Sequence, residues 1–214
     1  MKNLFKSMAA LCLTLFSLLS TNAQQKRNME NTALLIIDIQ NDYFPGGKME
    51  LAGAEKAGHN TQKILEYFRK NNLPVVHIKH VAENEGAGFF LPNTSGAEIN
   101  TLVSPKNGEK IIIKHFPNSF RETDLLVYLQ KAGIKNLVVT GMMTDVCVDS
   151  TIRAAFDLGF HNTVIGDATA TRERDLNGQT VKAEDLQQSF LAGISALGGL
   201  YAKITNTREF LTGK

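Results

Sequence analysis

The sequence predicts an α/β protein: a three-layer αβα sandwich around a mainly parallel, doubly wound sheet of about six strands. Two observations lead to this fold class. Short apolar runs alternate along the chain with longer segments whose apolar residues recur at helical spacing. The first run, residues 33–37, is apolar throughout, which is typical of a strand covered on both faces. Repeated alternation of strand and helix favours a parallel sheet with helices on both sides.

Each element can be placed from its pattern. The expected strands are residues 33–37, 74–78, 111–113, 137–139 and 163–165, with residues 202–204 as a weaker sixth. The expected helices contain Ile64, Leu65 and Phe68, then Leu125, Leu126 and Leu129, then residues 147–158 and residues 186–197. No internal repeat or low-complexity linker divides the sequence, which argues for one domain.

The amino terminus has the pattern of a secretory signal peptide. Lys2 and Lys6 precede an apolar stretch, residues 8–19, which is followed by small residues. The stretch is shorter than the roughly 20 residues that a membrane-spanning helix needs. A buried amino-terminal helix is the alternative, but no polar face interrupts the apolar residues. We therefore expect residues 1–23 to be removed and residues 24–214 to form an exported domain, periplasmic or secreted.

Charge and cysteine content exclude several function classes. The chain has 23 basic and 21 acidic residues, and loss of Lys2 and Lys6 with the signal would leave 21 of each. A neutral chain gives no reason to expect nucleic acid or a membrane surface as a partner. Cys12 lies in the predicted signal, so Cys147 would be the one cysteine of the mature chain. A lone thiol in an oxidising compartment is expected to be buried or used chemically.

Three residues of suitable chemistry lie at the carboxyl ends of predicted strands. Asp38 follows the first strand, Lys114 ends the third, and Cys147 follows the fourth. The carboxyl ends of parallel strands share one edge of the sheet, so we expect the three side chains to meet there. Lys114 and the start of a helix near Cys147 are expected to lower the thiol pKa, and Asp38 to accept its proton. This set suits acyl transfer from an amide.

Each of the three residues also has an ordinary structural explanation. Cys147 could be a small buried apolar residue, Asp38 could cap a turn, and Lys114 could be a solvated charge. The coincidence of all three on one sheet edge favours catalysis. Thiol redox sensing by Cys147 is a further alternative, but the mature chain would lack a resolving cysteine.

Four segments carry a resemblance to a known family: residues 35–44, 114–120, 141–148 and 150–155. Together they resemble the isochorismatase-like cysteine hydrolases, which include nicotinamidases and N-carbamoylsarcosine amidases. The likeness extends from about Thr32 to Ile204. It implies an Asp–Lys–Cys triad on Asp38, Lys114 and Cys147, which would hydrolyse a small-molecule amide through a thioester.

The resemblance also implies the surroundings of the triad. A cis peptide between Met142 and Met143 would direct the backbone N–H groups of Met143 and Cys147 at an oxyanion. Aromatic side chains would line the substrate pocket, although ordinary core packing is equally consistent with each of them. The candidates are Tyr43 and Phe44, followed by Phe89, Phe90 and Phe116.

Departures from the family pattern narrow the expected activity. Nicotinamidases carry a metal on an Asp-x-His motif and a further histidine, and the motif is missing here. His77 and His80 are three residues apart on a predicted strand, so they point to opposite faces. We therefore expect no metal and no other cofactor. Cys147 argues against isochorismatases proper, which cleave a vinyl ether without a cysteine nucleophile.

The prediction is a hydrolase of a small-molecule amide. A nicotinamidase and a non-catalytic exported binding or scaffold protein remain the alternatives. Because relatives are commonly oligomers, we also expect a homo-oligomer. Specificity is expected in residues 81–107, a long stretch between two predicted strands.

Overall fold

A computed structural model describes residues 29–213, so the predicted signal peptide lies outside the described residues. The sheet has six parallel strands in the order β3-β2-β1-β4-β5-β8, and a separate antiparallel hairpin joins β6 to β7. The strands are β1 (Thr32–Ile37), β2 (Val75–His80), β3 (Lys110–Lys114), β4 (Asn136–Met142), β5 (His161–Ala170), β6 (Arg174–Leu176), β7 (Gln179–Val181) and β8 (Lys203–Thr205). All six predicted sheet strands are confirmed.

The four predicted helices are also present. The helices are α1 (Ala54–Lys70), α2 (Leu125–Lys131), α3 (Asp149–Asp157), α4 (Ala183–Ile194), α5 (Ala196–Gly199) and α6 (Thr207–Thr212). The helix expected over residues 186–197 begins earlier, at Ala183, and ends at Ile194. Leu197 and Gly198 lie beyond its end with left-handed backbone angles. The helix expected from Cys147 begins with a π-helical turn, Thr144–Val148, and continues as α3.

Apolar faces of the helices cover both sides of the sheet. On one side, α2, α3 and α4 pack against alternate residues of the central strands, in one cluster that also contains Cys147. On the other side, Ile64, Leu65 and Phe68 of α1 are fully buried. Burial of each such side chain contributes about 1.5–3 kcal/mol. Every residue of β1 is buried, as its continuous apolar run predicts. The three-layer αβα sandwich is confirmed.

The order of strands determines where a site can form. From β1 the chain proceeds through β2 to β3 at one edge, then returns to β4 and continues to β5 and β8 at the other. The chain therefore leaves β1 and β4 in opposite directions, and in sheets of this topology sites form at the carboxyl ends of such a pair of strands. No helix within residues 29–213 has both the length and the apolar character needed to cross a bilayer.

Candidate active site

Asp38, Lys114 and Cys147 meet at the carboxyl edge of the sheet. Asp38 directly follows β1 with a left-handed backbone (φ 48°), and Lys114 is the last residue of β3. Cys147 lies in the π-helical turn after β4. Lys114 Nζ is 2.7 Å from Asp38 Oδ2, and Cys147 Sγ lies within 4.8 Å of a carboxylate oxygen of Asp38. Asp38 and Lys114 are fully buried, and Cys147 is 4% exposed.

The ammonium group of Lys114 is held as a permanent cation. Besides Asp38 Oδ2, it lies 3.1 Å from the carbonyl oxygen of Phe116 and 3.1 Å from Nδ1 of His80. Burial acts to lower the pKa of Lys114, but the negative charge of Asp38, together with the interaction with the Cys147 sulfur, outweighs it and raises that pKa above its ordinary value. The side chain therefore supplies fixed positive charge and does not exchange protons.

The thiol of Cys147 has a raised pKa, which differs from the expectation. Burial raises the pKa first, and the neighbouring carboxylate of Asp38 raises it further, while Lys114 acts in the opposite direction. Removal of the thiol from water and the negative charge of Asp38 thus outweigh the positive charge of Lys114, which was expected to lower the thiol pKa. Cys147 rests as a thiol, so its proton must be removed as it attacks.

Asp38 is placed to remove that proton. Its Oδ2 lies 2.7 Å from the ammonium of Lys114 as an ion pair, and both Oδ1 and Oδ2 are buried without a hydrogen bond of good geometry in the described part of the chain. A buried carboxylate oxygen of this kind has free capacity to accept a proton or a hydrogen bond. Asp38 and Cys147 together therefore form a base and a nucleophile within reach of each other, which is the arrangement that covalent catalysis requires.

The turn that carries Cys147 is held by side chains from the second half of the chain. The hydroxyl of Thr144 donates to Gln187 Oε1 at 2.5 Å, and the Gln187 amide donates to Thr169 Oγ1 at 2.7 Å. Asp145 accepts a hydrogen bond from the hydroxyl of Thr171 and forms an ion pair with Arg174 (3.0 Å). These contacts fix the backbone two and three residues before the nucleophile.

The start of the same turn contains the cis peptide between Met142 and Met143 that the resemblance implies. The neighbouring Gly141 has φ +133°, and a Cβ atom there would overlap the carbonyl oxygen of Ile37 in β1. Only glycine allows the two central strands to approach this closely. The role of the Met143 and Cys147 N–H groups as an oxyanion hole stays a prediction.

The segment after Asp38 organises the loop of residues 81–107. Gln40 donates to the carbonyl oxygens of His80 and Ala97, each at 2.8 Å. Asp42 is buried and accepts the backbone N–H of Phe90 at 2.7 Å. Buried polar side chains of this kind fix one local geometry because an unpaired partner would be costly. Gln40 and Asp42 therefore connect the loop to the strand end that carries Asp38.

The predicted substrate-binding aromatics divide into two groups. Tyr43, Phe89 and Phe90 form one cluster, with ring centroids 4.6 Å apart for Tyr43 and Phe90 and 4.9 Å apart for Phe89 and Phe90. Burial raises the pKa of Tyr43, and interaction with Cys147 and with the charge of Asp38 raises it further.

The other two aromatics have different surroundings. The ring of Phe44 packs next to Gly58 of α1, and the ring of Phe116 lies 3.6 Å from the guanidinium of Arg121. Phe116 contributes its carbonyl oxygen to Lys114. Contact of any of the five aromatic rings with substrate stays a prediction.

The two histidines of β2 have separate partners. Nε2 of His77 is 2.9 Å from Glu109, whereas Nδ1 of His80 faces Lys114. Asp38, His80 and Cys147 each place one potential metal ligand within 4.8 Å of the others. The ammonium of Lys114 contacts two of these ligands, Asp38 and His80. Its positive charge would repel a divalent cation bound there. The surroundings of His77 and His80 do not fit the metal site of nicotinamidases, and the absence of a catalytic metal stays a prediction.

Several contributors to the site could not be recognised from the sequence. Gln40 and Asp42 stand in the same motif as Asp38, and this proximity was the one available signal. The sequence pattern presents His80 only as a candidate metal ligand. Gln187 and Arg174 are distant in sequence and lie in no pattern that indicates a site.

Comparisons with known proteins agree with this geometry. Residues 32–196 match the Isochorismatase domain. The uncharacterized isochorismatase family protein YddQ of Bacillus subtilis is 48% identical over 180 residues, which cover 84% of this chain and 98% of YddQ. Ureidoacrylate amidohydrolase RutB of Caulobacter vibrioides is 31% identical over 173 residues, covering 65% of this chain and 77% of RutB.

A solved structure supports the same assignment. The crystal structure of a protein from Oleispira antarctica, described as an isochorismatase hydrolase, matches with a TM-score of 0.81 and 43% identity. The match covers 85% of this chain and 96% of that one. Family members are hydrolases, and some are named for amide hydrolysis. Because the domain match and the relatives cover most of its length, this chain belongs to the isochorismatase-like cysteine hydrolase family.

Proposed function

We propose that this protein hydrolyses a small-molecule amide, with Cys147 as nucleophile, Asp38 as proton acceptor and donor, and Lys114 as a fixed cation. The observation that carries the proposal is the buried ion pair of Lys114 and Asp38 beside the thiol, at the carboxyl ends of β1 and β4. The relative RutB is a ureidoacrylate amidohydrolase, which supports the same reaction class.

The first half of the reaction forms a thioester. Asp38 Oδ1 takes the thiol proton as Cys147 Sγ bonds to the amide carbon, and the carbonyl electrons move to oxygen. The N–H groups of Met143 and Cys147 are proposed to bind that oxyanion. When the oxyanion collapses, the C–N bond breaks and Asp38 returns the proton to nitrogen. Ammonia or an amine leaves, and the acyl group stays on sulfur.

The second half restores the enzyme. Asp38 removes a proton from water as the water oxygen bonds to the thioester carbon. The C–S bond then breaks, the carboxylic acid leaves, and the proton on Asp38 returns to Cys147. Lys114 keeps its three contacts throughout and offsets the negative charge shared between carboxylate and sulfur.

An amide screen tests the proposal directly. The purified protein is offered a panel of small primary amides and ureido compounds, and released ammonia is measured. We expect at least one compound to give turnover, and its acyl group to add mass at Cys147 during the reaction. Cys147→Ala is expected to abolish both signals. Turnover that persists in Cys147→Ala would exclude the mechanism, and failure of every amide class would favour the binding-protein alternative.

Arg174 offers a test of the nucleophile turn. Arg174→Met removes the hydrogen bond from Nε to Asp145 (3.1 Å) and the ion-pair contact of Nη2 (3.0 Å), and it leaves a carboxylate that is 6% exposed without its cation. A small displacement of Cys147 should lower kcat, by about tenfold, more than it changes KM. Steady-state kinetics on a substrate found in the screen measures this. Arg208→Met, on an exposed position of α6, is the matched control. Equal losses in the two variants would contradict the assigned role.

We also propose that the protein is exported after removal of residues 1–23, on the basis of their signal-like pattern. Expression of the full chain in a Gram-negative host, followed by amino-terminal sequencing of the periplasmic protein, tests this. A product that begins at Met1 in the cytoplasm would contradict it. Association into a homo-oligomer likewise stays a prediction, which light scattering of the mature protein can test.

A further inference from the structure

One strand separates Lys114 from its partner Asp38. Lys114 ends β3 and Asp38 follows β1, and β2 lies between them. Neighbouring strands are about 4.8 Å apart, so the lysine side chain must cross roughly 10 Å of sheet edge. The residue at the end of the intervening strand is His80, which is the register partner of Lys114. The side chain of Lys114 therefore passes His80 on its way to the carboxylate.

Three acceptor atoms lie within 3.1 Å of the Lys114 ammonium. These are Asp38 Oδ2 at 2.7 Å, His80 Nδ1 at 3.1 Å and the carbonyl oxygen of Phe116 at 3.1 Å. An ammonium group has three donors and no acceptor, so it can only donate to these atoms. A flexible four-carbon side chain gains a single orientation from such a set. Of the three acceptor groups, Asp38 is a charged side chain, Phe116 contributes a backbone carbonyl, and His80 contributes a neutral side chain that can titrate.

The chemistry of His80 suits an acceptor. Burial and the adjacent charge of Lys114 lower the pKa of His80 to about 4, although Asp38 acts to raise it and His115 acts to lower it. The ring is therefore neutral at physiological pH. Because Lys114 can only donate, Nδ1 must be the unprotonated nitrogen, and the ring proton lies on Nε2.

The ring of His80 is held rigidly. The backbone N–H of His80 donates to Gln40 Oε1 at 2.7 Å, and its carbonyl oxygen accepts from Gln40 Nε2 at 2.8 Å. The ring of Phe90 lies 5.9 Å from the imidazole, between centroids. Gln40 itself is fully buried. Strand pairing, Gln40 and Phe90 thus fix His80 independently of Lys114.

We propose that His80 is a positioning residue for Lys114: its Nδ1 accepts one N–H of the ammonium and so keeps the cation directed at Asp38 and Cys147. The consequence for hydrolysis rests on the proposed function. The contact itself and its effect on the reactivity of Cys147 do not depend on the proposed function, because the thiol can be probed without any amide substrate.

Alkylation of Cys147 by iodoacetamide in the full chain is the first test, followed by the mass of the peptide that contains Cys147. His80→Leu removes the acceptor and keeps an apolar side chain of similar reach. Without it the ammonium turns away or loses its proton, so alkylation between pH 7 and 9 should slow by about tenfold. His80→Asn keeps an acceptor near the position of Nδ1 and should retain the rate within about threefold. His59→Leu, at an exposed position of α1, is the control and should leave the rate unchanged.

The outcomes separate a positioning role from a structural one. Loss of rate in His80→Leu with rescue in His80→Asn supports the proposal. An unchanged rate in His80→Leu, or an equal loss in both variants when both give the circular dichroism spectrum of the wild type, overturns it.

A measurement on the wild-type protein needs no substitution that could prevent folding. In ¹⁵N-labelled protein, the ring nitrogens of His80 should show the Nε2–H tautomer, with Nδ1 unprotonated down to a pH of about 4. An Nδ1–H tautomer, or protonation near pH 6.5, would overturn the proposal. Neither experiment depends on amide turnover. A failed amide screen would therefore contradict the proposed function and leave this inference intact. Conversely, failure of the His80 experiments would overturn this inference and leave the proposed function intact.

Discussion

Asp38→Asn is expected to lower amide turnover by about 10²- to 10⁴-fold, the range that a positioned general base contributes. Asparagine has nearly the same shape and tolerates the left-handed backbone at this position (φ 48°). It cannot take a proton from Cys147, whose raised pKa makes an internal base necessary. The rate of ammonia release per enzyme, at saturating substrate, measures the loss.

The same substitution should also destabilise the fold. It leaves the fully buried ammonium of Lys114 without its counter-charge, and breaking a buried ion pair in this way costs about 3–5 kcal/mol. Urea unfolding of the variant gives this difference, and kinetics must be recorded where the variant remains folded. Asp157→Asn, at an exposed position of α3, should change neither quantity. Full activity in folded Asp38→Asn would rule out the assigned base.

Gly141→Ala is expected to destabilise the fold strongly. The backbone there has φ +133°, and a Cβ atom would overlap the carbonyl oxygen of Ile37. Strain from the backbone conformation alone costs about 1–3 kcal/mol. The overlap adds to this because backbone atoms of β1 cannot move aside without breaking the central strand pair. We expect a loss of at least about 3 kcal/mol, which lowers Tm by roughly 6–12 °C in a protein of this size.

Gly159→Ala is the matched control for that experiment. Gly159 also has a positive φ (+86°), but the space beside it is open. Alanine should therefore cost only the conformational penalty, about 1–2 kcal/mol. The difference between the two variants, measured by thermal unfolding, isolates the close approach of β1 and β4. If the two variants lose the same stability, the close approach does not restrict the residue at position 141.

The fold could be predicted because apolar runs report directly on burial. The continuous run at residues 33–37 identified the central strand, and alternation with helical segments identified the parallel sheet. The proximity of Asp38, Lys114 and Cys147 followed from topology alone, since the carboxyl ends of parallel strands share an edge. Neither inference needed a distance.

Properties that depend on distances could not be predicted. Burial and the charge of Asp38 raise the pKa of Cys147, whereas the charge of Lys114 lowers it. The net direction depends on distances of a few ångströms between these groups, which a sequence does not contain. The contact of His80 with Lys114 depends on strand register, which a sequence pattern does not specify for a polar strand end. Arg174 lies on a short hairpin with no periodic apolar residues, so its ion pair with Asp145 left no signal.

The depth of Cys147 has a consequence for chemistry outside the catalytic cycle. With 4% of its surface exposed, the sulfur is accessible only to narrow molecules. Thiol–disulfide exchange needs the attacking sulfur to reach a disulfide sulfur directly, which bulky disulfide partners prevent by their size. A nucleophile that stays protonated and enclosed at rest is thereby shielded from mixed-disulfide formation.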